Sequence, residues 1–88
     1  MHFEELWQKC EAYYIKNNDE DNLPIIIDEL IIKLNLLKAI DLKPEISEQD
    51  KKASKQQLLG LILFLLAKIS VKENINVFKA LMQALLER

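Results

Sequence analysis

Residues 58–69 read Leu-Leu-Gly-Leu-Ile-Leu-Phe-Leu-Leu-Ala-Lys-Ile, a nearly solid apolar block in a chain that is otherwise rich in charge, with 30% Asp, Glu, Lys and Arg overall. A helix that is apolar around its whole circumference must be buried on every side, in a membrane, a large core or an assembly. The chain has 88 residues, enough for one domain. A domain of that size buries only roughly 60% of the surface its unfolded form exposes. The block spans about 12 residues, short of the roughly 20 that cross a bilayer. Lys68 and the polar run before Leu58 bound it. The expectation is a soluble, cytoplasmic protein with no membrane partner, in which association covers the block.

The patterning predicts an all-α fold: a four-helix up-down bundle over residues 1–88, associating into a dimer, with helices at about 3–16, 23–41, 48–70 and 75–87. In the first, Phe3, Leu6, Trp7, Cys10, Tyr13 and Tyr14 recur at helical spacing and make one apolar stripe. Asn17, Asn18 and the acidic run Asp19-Glu20-Asp21 form a turn, with the acids favourably placed before the positive end of the next helix. Asn22 is the expected N-cap of the second helix, and Pro24 is tolerated in its first turn. Leu23, Ile27, Leu30, Leu34 and Leu37 read as a heptad-like seam, with Ile25, Ile32, Leu36 and Ile40 on a second stripe. Pro44 closes this segment. Ser47 and Asp50 resemble a capping box at the start of the third helix. A turn is expected over residues 71–74. Phe78, Leu81, Met82, Leu85 and Leu86 then form the inner stripe of the fourth helix.

Two helices apolar over most of their circumference exceed what four helices of one short chain can cover. Each Leu or Ile taken out of water is worth about 1.5–3 kcal/mol, so an interface is expected through the second and third helices. The candidate interface residues are Leu30, Leu34, Leu37, Leu61, Phe64 and Leu65. The partner is a second copy or another protein.

The composition excludes several chemistries. A net charge of −2 gives no electrostatic footprint for nucleic acid, and Lys51, Lys52 and Lys55 read as a solvated helix face. Cys10 is the single cysteine, so no intramolecular disulfide and no Cys-based metal site can be built. His2 is the only histidine, which leaves no Ser-His-Asp set. Gly60 is the only glycine, which leaves no phosphate-cradling loop. The paired acids at Glu4 and Glu5, Asp19 to Asp21, and Glu48 and Asp50 read as solvated faces or helix N-termini. Asp28 and Glu29 differ in lying within the most apolar helix, where Glu29 and Lys33 have the spacing of an i, i+4 ion pair. No catalytic residue, metal site or cofactor is expected on these grounds.

The segment from Gln56 through Ala67, followed by a turn and Ile75-Asn76-Val77-Phe78-Lys79-Ala80-Leu81, resembles the third and fourth helices of MazG-like all-α nucleoside triphosphate pyrophosphohydrolases. Asp28-Glu29-Leu30-Ile31-Ile32 falls where that family has its preceding metal-binding helix. The resemblance covers the chain from about Ile25 onward. It implies a dimerising helical fold and Mg²⁺ held by Glu-x-x-Glu on one helix and Glu-x-x-Asp on the next. Carried across, the first motif keeps Glu29 and has Ile32 at its second acidic position, while Gln57 and Gly60 stand at the acidic positions of the second. The chain therefore resembles a degenerate member. The leading expectation is a non-catalytic helical interaction or dimerisation module, of the small-subunit or immunity-protein kind. The alternative is a divergent Mg²⁺-dependent pyrophosphohydrolase relying on Glu29 and Asp28.

Overall fold

The structure is a computed structural model and describes residues 2–88. It is all-helical: α1 (Phe3–Lys16), α2 (Leu23–Ile40), α3 (Glu48–Glu73) and α4 (Val77–Leu86), with no strand among the described residues. Three of the helices start on a side-chain cap that satisfies an otherwise unpaired amide. Asn22 accepts from the Ile25 N–H at 3.2 Å, Ser47 from the Asp50 N–H at 3.1 Å, and Asn76 from the Lys79 N–H at 3.1 Å.

The third helix is longer than the sequence suggests. Residues 71–73, expected to turn, remain helical, and the chain turns at Asn74, whose φ of 53° is left-handed. The Asn74 N–H donates to the Val71 carbonyl at 3.3 Å and the Ile75 N–H to that of Ser70 at 3.0 Å. That pair of bonds is the Schellman closure, and Asn is the non-glycine residue best suited to it. The helix thus stops at the first residue able to adopt this conformation, and α4 begins at Val77 instead of residue 75.

α3 is the common wall. α2 packs along it as an antiparallel pair, tied at one end by Lys55 to Asp41 and at the other by Lys68 to Asp21. On α2 the side turned to α3 carries Leu23, Ile26, Leu30, Lys33, Leu37 and Ile40, all at least partly buried and spaced alternately by three and four. On α3 it carries Lys51, Lys55, Leu58, Ile62, Leu65 and Ile69 at the same alternation. This corrects the expected seam. Ile26 is fully buried, whereas Ile27 and Leu34 are 39% and 46% exposed. The Ile25-Ile26-Ile27 run offers an apolar residue at every register, so periodicity alone had no contrast with which to choose.

α1 lies against the second half of α3. Trp7 and Tyr14 are buried there with Ala67, and Cys10, Phe64 and Val71 pack around them. Ala67 has no exposed surface, and its small side chain is what permits the close approach. α4 departs most from expectation. Val77 and Phe78 reach the core cluster, with the Phe78 ring edge-on to Phe3 and Trp7, but no residue of α4 is buried. Within one chain the helices therefore form two pairs sharing α3, and α4 is attached by its first turn.

The result is an open shape. The radius of gyration is 15.1 Å, against about 12 Å for a compact domain of this length. The 26-residue α3 is also longer than its 12-residue apolar block and contains an 18-residue window of mean hydropathy 1.3, enough by length and composition to cross a membrane. Length therefore does not exclude a membrane, as the block alone had suggested. Against the spanning geometry stand Lys51 and Lys68, buried on the same helix against the rest of the chain.

The corrected seam has a measurable consequence. Ile26→Ala should cost about 2–5 kcal/mol in urea unfolding, the range for truncating a buried aliphatic side chain. Ile25→Ala, on a side chain 49% exposed, should cost less than about 1 kcal/mol. Equal losses at the two positions would contradict the register.

Candidate functional site

Two surfaces stand out: a polar cleft between α1, α2 and α3, and an apolar face that continues onto α4. The cleft has a volume of about 520 Å³. One wall is aromatic, with Phe64 at 4.7 Å from Tyr14 and 5.3 Å from Tyr13 between ring centres. Glu29 and Lys33 of α2 face it, and Asp19 and Lys68 form its polar end.

Lys68 organises that end. Its Nζ lies 2.8 Å from Asp19 Oδ2 and 2.8 Å from Asp21 Oδ2, and 5.8 Å from the centre of the Tyr14 ring. Lys72 adds a contact of 3.1 Å to Asp19 Oδ1 and one of 3.3 Å to Asn18 Oδ1. Burial acts against the Lys68 charge, but the hydrogen bonds to Asp19 and Asp21 outweigh it and hold the ammonium above its ordinary value. Hydrogen bonds from Lys68 and then Lys72 lower Asp19 to about 2. Burial raises the Tyr14 hydroxyl to about 12, with Lys68 pulling partly the other way. On α1, Glu11 accepts from the Ser70 hydroxyl at 2.8 Å. That hydroxyl is also 2.7 Å from the Ala67 carbonyl, and its one proton serves one acceptor at a time.

The acidic turn does more than set charge before the second helix: it neutralises a buried lysine, Asp21 reaching Lys68 across 47 residues of sequence. The usable signal was the single Lys inside an apolar block. A charge there has to be paired, and the nearest unassigned acids in the fold are in the α1–α2 turn.

The expected interface residues divide. Leu65 is buried within the chain, and Phe64 packs against the α1 cluster. Leu30 and Leu37 are partly buried on the α3-facing side of α2. Leu34 and Leu61 remain open, 46% and 41% exposed, and Leu61 lines the cleft. The Glu29–Lys33 ion pair does not form: no contact within 4.0 Å joins them among the described residues, Lys33 being partly buried and Glu29 exposed.

A Mg²⁺ site of the kind the family resemblance implies does not fit this arrangement. Glu29 reaches the cleft, but Asp28, one residue and about 100° further round the helix, is exposed and absent from its lining. Asp19, the other cleft carboxylate, is engaged by two lysines. A Cβ at Gly60 would meet nothing within 4 Å, so an acid there is sterically allowed, yet glycine supplies no ligand. No group of three potential ligands gathers among the described residues.

Comparison with known protein families, with curated proteins and with solved structures finds no match to this chain.

The Lys68 cluster predicts an asymmetric pattern of losses. Asp19→Asn with Asp21→Asn leaves a buried ammonium without a counter-charge and should be the more destabilising change. Lys68→Met leaves two aspartates about 40% exposed, which water can solvate, and should cost less. The pH dependence follows the same ion pairs. The Asp19 contribution is complete above the ordinary aspartate range and is lost as pH falls toward about 2. The Lys68 contribution is complete below 10.5 and lost only above it. Asp19→Asn should therefore flatten the acid limb of a stability-versus-pH curve. An unchanged acid limb would mean the ion pair does not form in solution.

Proposed function

We propose that this chain is a helical interaction module that works without catalysis, and that its partner is a second copy of itself. The observation that carries the reading is surplus surface. One chain exposes 7092 Å². That is about 1,700 Å² more than the roughly 5,400 Å² of a compact monomer of the same mass. A stable homodimer removes about 800 Å² or more from each partner, so one generous interface absorbs the excess.

The chemistry of the surplus points the same way. It is dominated by Leu and Ile side chains of α2, α3 and α4, among them Ile31, Leu34, Leu59, Leu81 and Leu85, each more than 40% exposed. A contiguous apolar face of this kind marks an interaction site. An up-down bundle completed between two chains, each supplying an α2–α3 hairpin, gives these side chains the cover that one chain lacks. A membrane-surface helix would instead set basic residues along its polar edge. α4 has Lys79 alone among its ten residues, and we read the protein as a cytoplasmic dimer. A small-subunit or immunity-type role is a use to which such a surface can be put.

Size-exclusion chromatography with light scattering tests this reading. The expected result at micromolar concentration is a particle of twice the 10.3 kDa chain mass, with a Tm that rises with protein concentration. A folded 10.3 kDa monomer that binds no apolar dye would contradict it.

A further inference from the structure

The surplus surface has a direction. With 3.6 residues per turn, Phe78, Leu81, Met82 and Leu85 fall on one face of α4. The first turn of that face is docked, the Phe78 ring centre lying 6.4 Å from that of Phe3 and 6.5 Å from that of Trp7. The next two turns have little beneath them: Leu81, Met82 and Leu85 are 64%, 63% and 68% exposed. A ten-residue helix is too short to persist in water without tertiary cover.

An apolar flank of the α2·α3 pair lies beside it. The cleft marks one flank of the α2·α3 pair, with Glu29 and Lys33 beside Leu61, Phe64 and Lys68. In an antiparallel pair, helical periodicity places the opposite flank at Ile27, Ile31 and Leu34 of α2 and Leu59, Leu63 and Leu66 of α3. All six are exposed by a third or more, and none carries charge. Leu63 and Leu66 also form one wall of a groove of about 320 Å³ whose other wall includes Ile75, Val77, Phe78 and Leu81. The projecting stripe and the apolar flank thus adjoin across this groove. Such a surface can meet its own copy about a two-fold axis, where residue i of one copy meets j of the other and j meets i.

We infer that α4 is a reciprocal arm: the Leu81–Met82–Leu85 stripe of one chain docks on the Ile27–Ile31–Leu34 and Leu59–Leu63–Leu66 flank of a second copy. This rests on the self-association proposed above and names its seam. The occupant is a second copy because the surplus of about 1,700 Å² per chain is of the size an obligate homodimer buries. The stripe and its receptor are also both present on the same chain.

Single-cysteine chains test the seam. In a Cys10→Ala background, chains carrying Leu85→Cys are mixed with isotopically labelled chains carrying Leu34→Cys and oxidised with diamide. Only an intermolecular bond joins the two. The expected result is a mixed covalent dimer forming about tenfold faster than when the labelled chain carries Ile32→Cys, which lies about 160° round α2 from Leu34, a preference equivalent to about 1.4 kcal/mol. Equal rates in a particle of dimer mass overturn the arm and leave self-association standing. Monomeric chains that do not cross-link overturn both. Leu85→Glu answers independently of any core disturbance, since its side chain lies on the open end of α4. It is expected to give a monomer that keeps the helical circular dichroism of α1 to α3 and loses at most the share of the ten-residue α4, and a dimer that tolerates the charge would overturn the arm.

Discussion

The constraint on which this fold depends is that α3 carries apolar side chains on more sides than the rest of its own chain covers. α2 covers one side through a heptad-spaced contact and α1 covers another through Trp7, Tyr14 and Ala67. The remaining side, at Leu59, Leu63 and Leu66, is open. Burying apolar area is the main favourable term in folding, and a helix left partly uncovered lowers the stability of the lone chain. Lys68 sharpens the problem. A lysine in the apolar half of α3 is tolerable only with counter-charges in place, and the α1–α2 turn supplies Asp19 and Asp21. One cationic group thereby fixes the path of that turn and the approach of α2 to α3 together.

The fold class was legible in the sequence, and so were the caps, because both rest on local rules. Asn22 and Ser47 announce helix starts through a side-chain oxygen three residues before an amide that needs an acceptor, and the structure makes both bonds. The register of α2 was not legible. A helix apolar at Ile25, Ile26, Ile27, Ile31 and Ile32 has no pattern by which to tell its inner face, and only the match to α3 selects Ile26. The end of α3 was missed for a related reason. Residues 71–73 carry no breaker, and the stop is conformational, requiring a left-handed residue that Asn74 provides.

The candidate sites divide along the same line. An apolar surplus is additive over the chain, so composition and length alone lead to the expectation of an interface. Which side chains stay open depends on tertiary geometry: Leu65 turned inward, Leu34 outward, and α4 away from the core after a single turn. The cleft was invisible in sequence because Glu29, Lys33, Tyr13 and Phe64 come from three helices with no shared spacing. Its two carboxylates serve different ends, Asp19 held in ion pairs and Glu29 in none among the described residues, which is why the cleft does not reproduce the converging acids of a Mg²⁺-dependent pyrophosphohydrolase.

If a second chain supplies the missing cover, the stability of α4 belongs to the assembly and not to the subunit. Amide hydrogen exchange measured along the chain at a series of protein concentrations tests this directly, because exchange reports local opening segment by segment. The account predicts that residues 79–86 are protected at concentrations where the chain associates and exchange almost freely on dilution, while the amides of α3 keep their protection. Protection of α4 that is independent of concentration, or absent throughout, would contradict it.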